Sequence, residues 1–104
     1  MIALSKVLGR GLGNKVWFEC PGCMMVHALN VTDDAKPRWY WNGNVDKPTF
    51  SPSVLVRYTW GNPPQDKVCH SYVTDGRIQF LTDCTHELAG QTVDLPHLDE
   101  EWLS

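Results

Sequence analysis

At 104 residues and 11.8 kDa the chain has room for one domain and one modest core. Hydrophobic residues make up 42% and charged residues 20%, a balance that excludes an intrinsically disordered chain. The formal net charge of −3 argues against a nucleic-acid binder working by bulk electrostatics, and no run approaches the ~20 apolar residues of a membrane span.

Lys15 to Glu19 and Val26 to Val31 are strand candidates, with Cys20-Pro21-Gly22-Cys23 as the turn between them. Trp39 to Trp41 runs into Asn42-Gly43, a dipeptide suited to the positive φ values of a tight hairpin. Pro48 and Pro52 punctuate PTFSPS, which suits an irregular loop or a sheet edge better than a central strand. Ser53 to Thr59 alternates and is rich in β-branched residues, and GNPP follows as a loop. The clearest hairpin has strands over 69–74 and 77–82 around Asp75-Gly76. Thr85 to Ala89 can make one helical turn before Gly90, Thr92 to Leu95 a last short strand, and DEEWLS a loosely held tail. The expected fold is mostly β: a small single domain over 1–104, an antiparallel sheet or barrel-like structure, with 1–14 and 97–104 peripheral.

The N-terminus lacks the charged region, apolar run and cleavage site of a signal peptide, so a cytoplasmic protein is expected. Reducing conditions there make four cysteines metal ligands rather than two disulfides. A chain this short buries only roughly two-thirds of its unfolded surface, so a zinc staple matters to its stability. Cys20 and Cys23 lie three apart across a Gly-containing turn and can aim both sulfurs at one ion. A redox role for the same spacing requires a long helix after the pair, whereas MMVHALNV is β-leaning.

With Asp75-Gly76 as a two-residue turn, Thr74 faces Arg77, Val73 faces Ile78, Ser71 faces Phe80 and Cys69 faces Thr82. Cys69, Val73, Ile78 and Phe80 then share the apolar face, and Cys84 joins it if the strand continues. The expected zinc site is therefore Cys20, Cys23, Cys69 and Cys84, joining the CPGC turn to this hairpin. His27, His70 and His86 stand near cysteines and are alternative or second-site ligands, so one or two metals remain open. His86 has the parity of the metal face, His70 points to the opposite face, and His97 is surface.

Three strings, CPGCMMVH, WYWNGNVDKPTFSPSVLVR and CHSYVTDGRIQFLTDCTHELAGQTVDLP, resemble a family of small phage and prophage zinc-binding proteins of unknown function. Its members often carry the label "ammonia monooxygenase", an unsupported transfer. The resemblance spans roughly residues 16–96 and implies a phage source and a compact metal-binding domain, with Cys20, Cys23, His27, Cys69, His70, Cys84 and His86 in its pattern. Met24 departs from the polar or glycine residue usual after CPGC. Ammonia oxidation needs redox metals and an electron supply, for which this chain shows no site.

Three function classes follow. The favoured one is a zinc-stabilised accessory protein that binds a host or phage protein, acting against host defence, with Trp39, Tyr40, Trp41 and Trp60 as contact residues and no catalytic residue. The second is a zinc-dependent hydrolase or nucleic-acid-processing enzyme using Cys69-His70 with Asp83, Cys84 and His86, and Glu87 as a further carboxylate. Four cysteines suit a closed site, so an enzyme is less favoured. The third is a nucleic-acid binder using Arg38, Lys47, Arg57, Lys67 and Arg77 among aromatics, which the net charge disfavours.

Overall fold

The computed structural model describes residues 1–102; Leu103 and Ser104, the end of the expected loose tail, lie outside the described residues. The strands are β1 (Ile2–Ala3), β2 (Leu8–Arg10), β3 (Val16–Cys20), β4 (Met25–Leu29), β5 (Tyr40–Trp41), β6 (Phe50–Trp60), β7 (Gln65–Thr74), β8 (Arg77–Phe80) and β9 (Thr92–Asp94), with side chains alternating between core and solvent most regularly along β3 and β8. The first four form one antiparallel sheet in chain order, and the last five form a second. No helix among the described residues is long and apolar enough to cross a membrane.

The sheets meet over one core. Leu8, Val16 and Phe18 come from the first, and Phe50, Val54, Val73, Ile78 and Phe80 from the second. Phe18 stacks on Phe50 at 6.1 Å between ring centres, joining the two layers. Both sheets stay open rather than closing into a barrel, so β4 ends one sheet and β5 and β9 end the other.

The Asp75-Gly76 hairpin has the expected register, with Thr74 opposite Arg77, Val73 opposite Ile78 and Ser71 opposite Phe80. Both turn residues take positive φ, 50° and 78°, the geometry that matches the twist of the flanking strands. β8 stops at Phe80, so Cys69 does not pair with Thr82; the Leu81 N–H instead bonds the His70 carbonyl at 2.9 Å. Residues 85–89 form turns rather than helix.

Two further expectations give way. Asn42-Gly43 does not close a tight hairpin, because β5 and β6 are joined by residues 42–49. Asn42 organises that loop, its Oδ1 accepting from the N–H groups of Asn44 and Thr49, each at 3.1 Å. PTFSPS, expected as an irregular loop or a sheet edge, enters a strand: β6 begins at Phe50 and carries Pro52 just beyond its last pair with β5. The strand accommodates proline by a bulge: Phe50 pairs with Val73 but Val54 with Ser71, so Ser51, Pro52 and Ser53 fall in a register break.

Candidate active site and metal centre

Ser53 lies in the bulge of β6, beside the His70 ring on the outer face of the sheet. Its Oγ lies 2.9 Å from His70 Nε2, and His70 Nδ1 lies 3.0 Å from Asp83 Oδ2. Cys69 and Ser71, on either side of His70, are buried, so the imidazole projects to the outer face beside its cross-strand partner Leu55. Asp83 sits in the turn after β8. A carboxylate only accepts, so Nδ1 carries the ring proton and donates to Asp83. Nε2 is left to accept from the Ser53 hydroxyl. The side chains of His70 and Asp83 are 25% and 54% exposed, which leaves the chain of groups open to a substrate.

Neighbours hold this geometry. The His70 N–H donates to Cys84 Sγ at 3.2 Å, and the Cys84 S–H donates to the His70 carbonyl at 3.2 Å. The Trp39 indole N–H donates to the Ser53 carbonyl at 3.3 Å.

The opposite face of β7 carries a second constellation. Cys20 at the end of β3, Cys23 in the turn, His27 on β4 and Cys69 on β7 place their ligand atoms all within 4.8 Å of one another. The turn curls tightly: Met24 takes a φ of 59°, its N–H bonds the Cys20 carbonyl at 2.9 Å, and the Cys23 N–H bonds Cys20 Sγ at 3.4 Å. The Cys20 and Cys69 sulfurs are 3.8 Å apart, and two sulfurs about 2.3 Å from one tetrahedral zinc are separated by about this edge. His27 is 5% exposed, and its Nε2 is buried with no hydrogen-bond partner among the described residues. A bound cation supplies the partner that such an atom otherwise lacks.

Electrostatics points the same way. Hydrogen bonds from Cys20 and Cys69 hold Cys23 well below the usual thiol range. The bond to Cys23 pushes Cys20 up to about 12, and Cys69 is pushed up further by Cys20 and Cys23. Three thiols so close share one negative charge comfortably; a second and third thiolate need a cation between them.

Cys84 and His86 form another group with Cys69. His86 Nδ1 accepts from the Leu88 N–H at 3.2 Å, which puts the ring proton on Nε2. Among the described residues that N–H is buried without a partner, so His86 offers a donor there rather than a lone pair. Gly22 packs directly against this ring, with no room for a Cβ.

Of the four cysteines expected around one ion, Cys20, Cys23 and Cys69 therefore stand together with His27, while Cys84 grips His70. Among the aromatics, Tyr40 and Trp60 are 63% and 70% exposed, Trp41 stacks on Phe50 at 6.4 Å, and Trp39 is half-buried beside Ser53. Sequence reasoning singled out neither Ser53 nor the Ser53–His70–Asp83 relationship. The irregularity marked by Pro48 and Pro52 in PTFSPS was its local trace.

A family model described as bacterial ubiquitination-like system serine protease (BubE) matches residues 3–81. No curated protein and no solved structure matches. This match overturns the expectation of an accessory protein that binds a host or phage protein, with its metallohydrolase and nucleic-acid alternatives, and the expectation that an enzyme is less favoured. The structure places Ser53 against His70, which in turn bonds Asp83.

Proposed function

The chain belongs to the family of bacterial ubiquitination-like system serine proteases (BubE), and on that premise we propose that it hydrolyses a peptide-type acyl bond within such a system, with Ser53 as nucleophile. The observation that carries this reading is the continuous path from Ser53 Oγ through both nitrogens of His70 to Asp83, at 2.9 and 3.0 Å.

Ser53 Oγ attacks the substrate carbonyl carbon while its proton passes to His70 Nε2. Asp83 accepts the Nδ1–H, keeps the ring in the productive tautomer and stabilises the imidazolium. The C–N bond breaks as Nε2 returns the proton to the leaving amine, and the acyl group stays on Ser53 as an ester. Water then attacks the ester, giving a proton to Nε2, which returns it to Ser53 Oγ as the acid leaves. General-base assistance of this kind contributes about 10²–10⁴-fold.

Zinc fits Cys20, Cys23, His27 and Cys69 as a closed set of three thiolates and one imidazole. Its role in this reading is structural: it ties the first sheet, through Cys20, Cys23 and His27, to β7 of the second, one residue from His70. Thiolate ligation of this kind suits a reducing compartment such as the cytoplasm.

Labelling with a fluorophosphonate, followed by peptide mass spectrometry, tests the nucleophile. The expected result is one adduct, on Ser53, lost in His70→Ala; an unlabelled Ser53 in a folded, zinc-loaded protein refutes the reading.

A further inference from the structure

The strand that carries Ser53 has an open edge. β5 covers β6 only at Phe50 and Ser51. Beyond the bulge, β6 pairs with β7 alone. The direction of its free main-chain groups follows from the partners of β7. In an antiparallel pair, opposed residues either bond each other or both point away. His70 points away from β6, since its N–H and C=O are taken by Cys84 Sγ and the Leu81 N–H. Its partner Leu55 must therefore point its own N–H and C=O away from β7. Val68 is likewise taken by Thr85, through the Thr85 Oγ1 at 3.0 Å and the Thr85 N–H at 2.9 Å. Arg57, opposite Val68, points outward in the same way.

These groups face a groove of ≈ 460 Å³ whose other wall is β4, the last strand of the first sheet. Among the described residues no backbone hydrogen bond joins the two walls. Trp39 closes one end, its backbone N–H on the Asn30 carbonyl at 2.8 Å and its indole on the Ser53 carbonyl at 3.3 Å. The closed end is thus the end that carries the nucleophile. Leu55 and Tyr72, each 45% exposed, flank it on the outer face with His70.

We propose that the substrate's acyl side binds here as an extended strand, added to β6 between β4 and β6, so that its main chain bonds Leu55 and Arg57 and its scissile carbonyl arrives at Ser53. The proposal rests on the catalytic reading of Ser53 and deepens it. Unpaired edge groups select a partner that offers main-chain donors and acceptors at strand spacing, which an extended peptide does and a folded surface does not. A strand added to this edge runs about 4.8 Å from β6, within reach of the Ser53 side chain. With Trp39 blocking the ladder at Ser53, the strand enters from the Arg57 end and makes its last contact at the nucleophile. A flexible tail of a few residues fits such a channel, whereas a bond inside a folded strand or helix does not.

The test uses two covalent probes on the ¹⁵N-labelled, zinc-loaded protein. One is diisopropyl fluorophosphate, and the other is the peptidyl phosphonate Ac-Thr-Val-Thr-Val-Gly diphenyl ester. The expected result is that both label Ser53 and that only the peptidyl adduct slows amide exchange at Leu55 and Arg57, by about tenfold or more. Val54 and Val56, whose amides face β7, should be unchanged. Labelling by the small probe alone, or a peptidyl adduct without added protection at Leu55 and Arg57, overturns strand addition and leaves the nucleophile standing. No labelling by either probe overturns both.

Discussion

Cys84 grips the backbone of His70 at both polar groups, its sulfur 3.2 Å from the His70 nitrogen and 3.2 Å from the His70 carbonyl oxygen. Asp83 is the preceding residue, so the grip sets how the carboxylate meets the imidazole. Cys84→Ala removes both contacts while leaving Cys20, Cys23, His27 and Cys69 all in place. A misplacement of about 1 Å costs about 10²-fold in rate. The expected outcome is a kcat lowered by about 10- to 100-fold, with KM near wild type and one zinc retained per chain. Loss of the metal in Cys84→Ala would instead place this cysteine among the ligands.

Asp83→Asn tests the tautomer. An amide facing Nδ1 can donate as well as accept, and donation there leaves the proton on Nε2, where Ser53 needs an acceptor. Buried triads lose about 10⁴-fold from this change. The Asp83 side chain is 54% exposed, so water substitutes for it in part, and a kcat loss of about 10²- to 10³-fold is expected at unchanged melting temperature. A variant within twofold of wild type would remove Asp83 from the mechanism.

The metal should hold the fold. Zinc bound by thiolates contributes about 10–16 kcal/mol of apparent binding energy in small domains, comparable with the ~5–15 kcal/mol total stability of a domain. Cys20→Ser, or a strong chelator on wild type, is therefore expected to abolish the cooperative thermal transition seen by circular dichroism. A Cys20→Ser protein that melts like wild type and keeps its zinc would sink the assignment.

Particular residues show how far the sequence could be read. The Asp75-Gly76 turn fixed the register of β7 and β8, because a two-residue hairpin with apolar Val73, Ile78 and Phe80 on one face allows only one pairing. Strand parity then separated inward Cys69 from outward His70. What His70 faces was beyond that logic. Ser53 reaches it through a bulge whose size depends on how β6 meets β7, and Asp83 through a turn that forms because β8 ends two residues short of Thr82. Ser53, His70 and Asp83 are each ordinary in isolation, and no local spacing motif links them. That His27 stands with Cys20, Cys23 and Cys69 is similarly non-local, since β4 and β7 belong to different sheets.

The most direct measurement of the central claim is hydrolysis by wild type and Ser53→Ala of a ubiquitin-like protein bearing a C-terminal extension, with p-nitrophenyl acetate as a small reporter. Zinc content and melting are recorded for both proteins. Ser53 is half-buried and its hydroxyl is bonded only to His70 among the described residues, so its loss should leave fold and metal untouched. The account predicts a rate lowered by at least about 10³-fold on both substrates, as expected when a nucleophile is removed from a triad. Cleavage by Ser53→Ala within tenfold of wild type would contradict it.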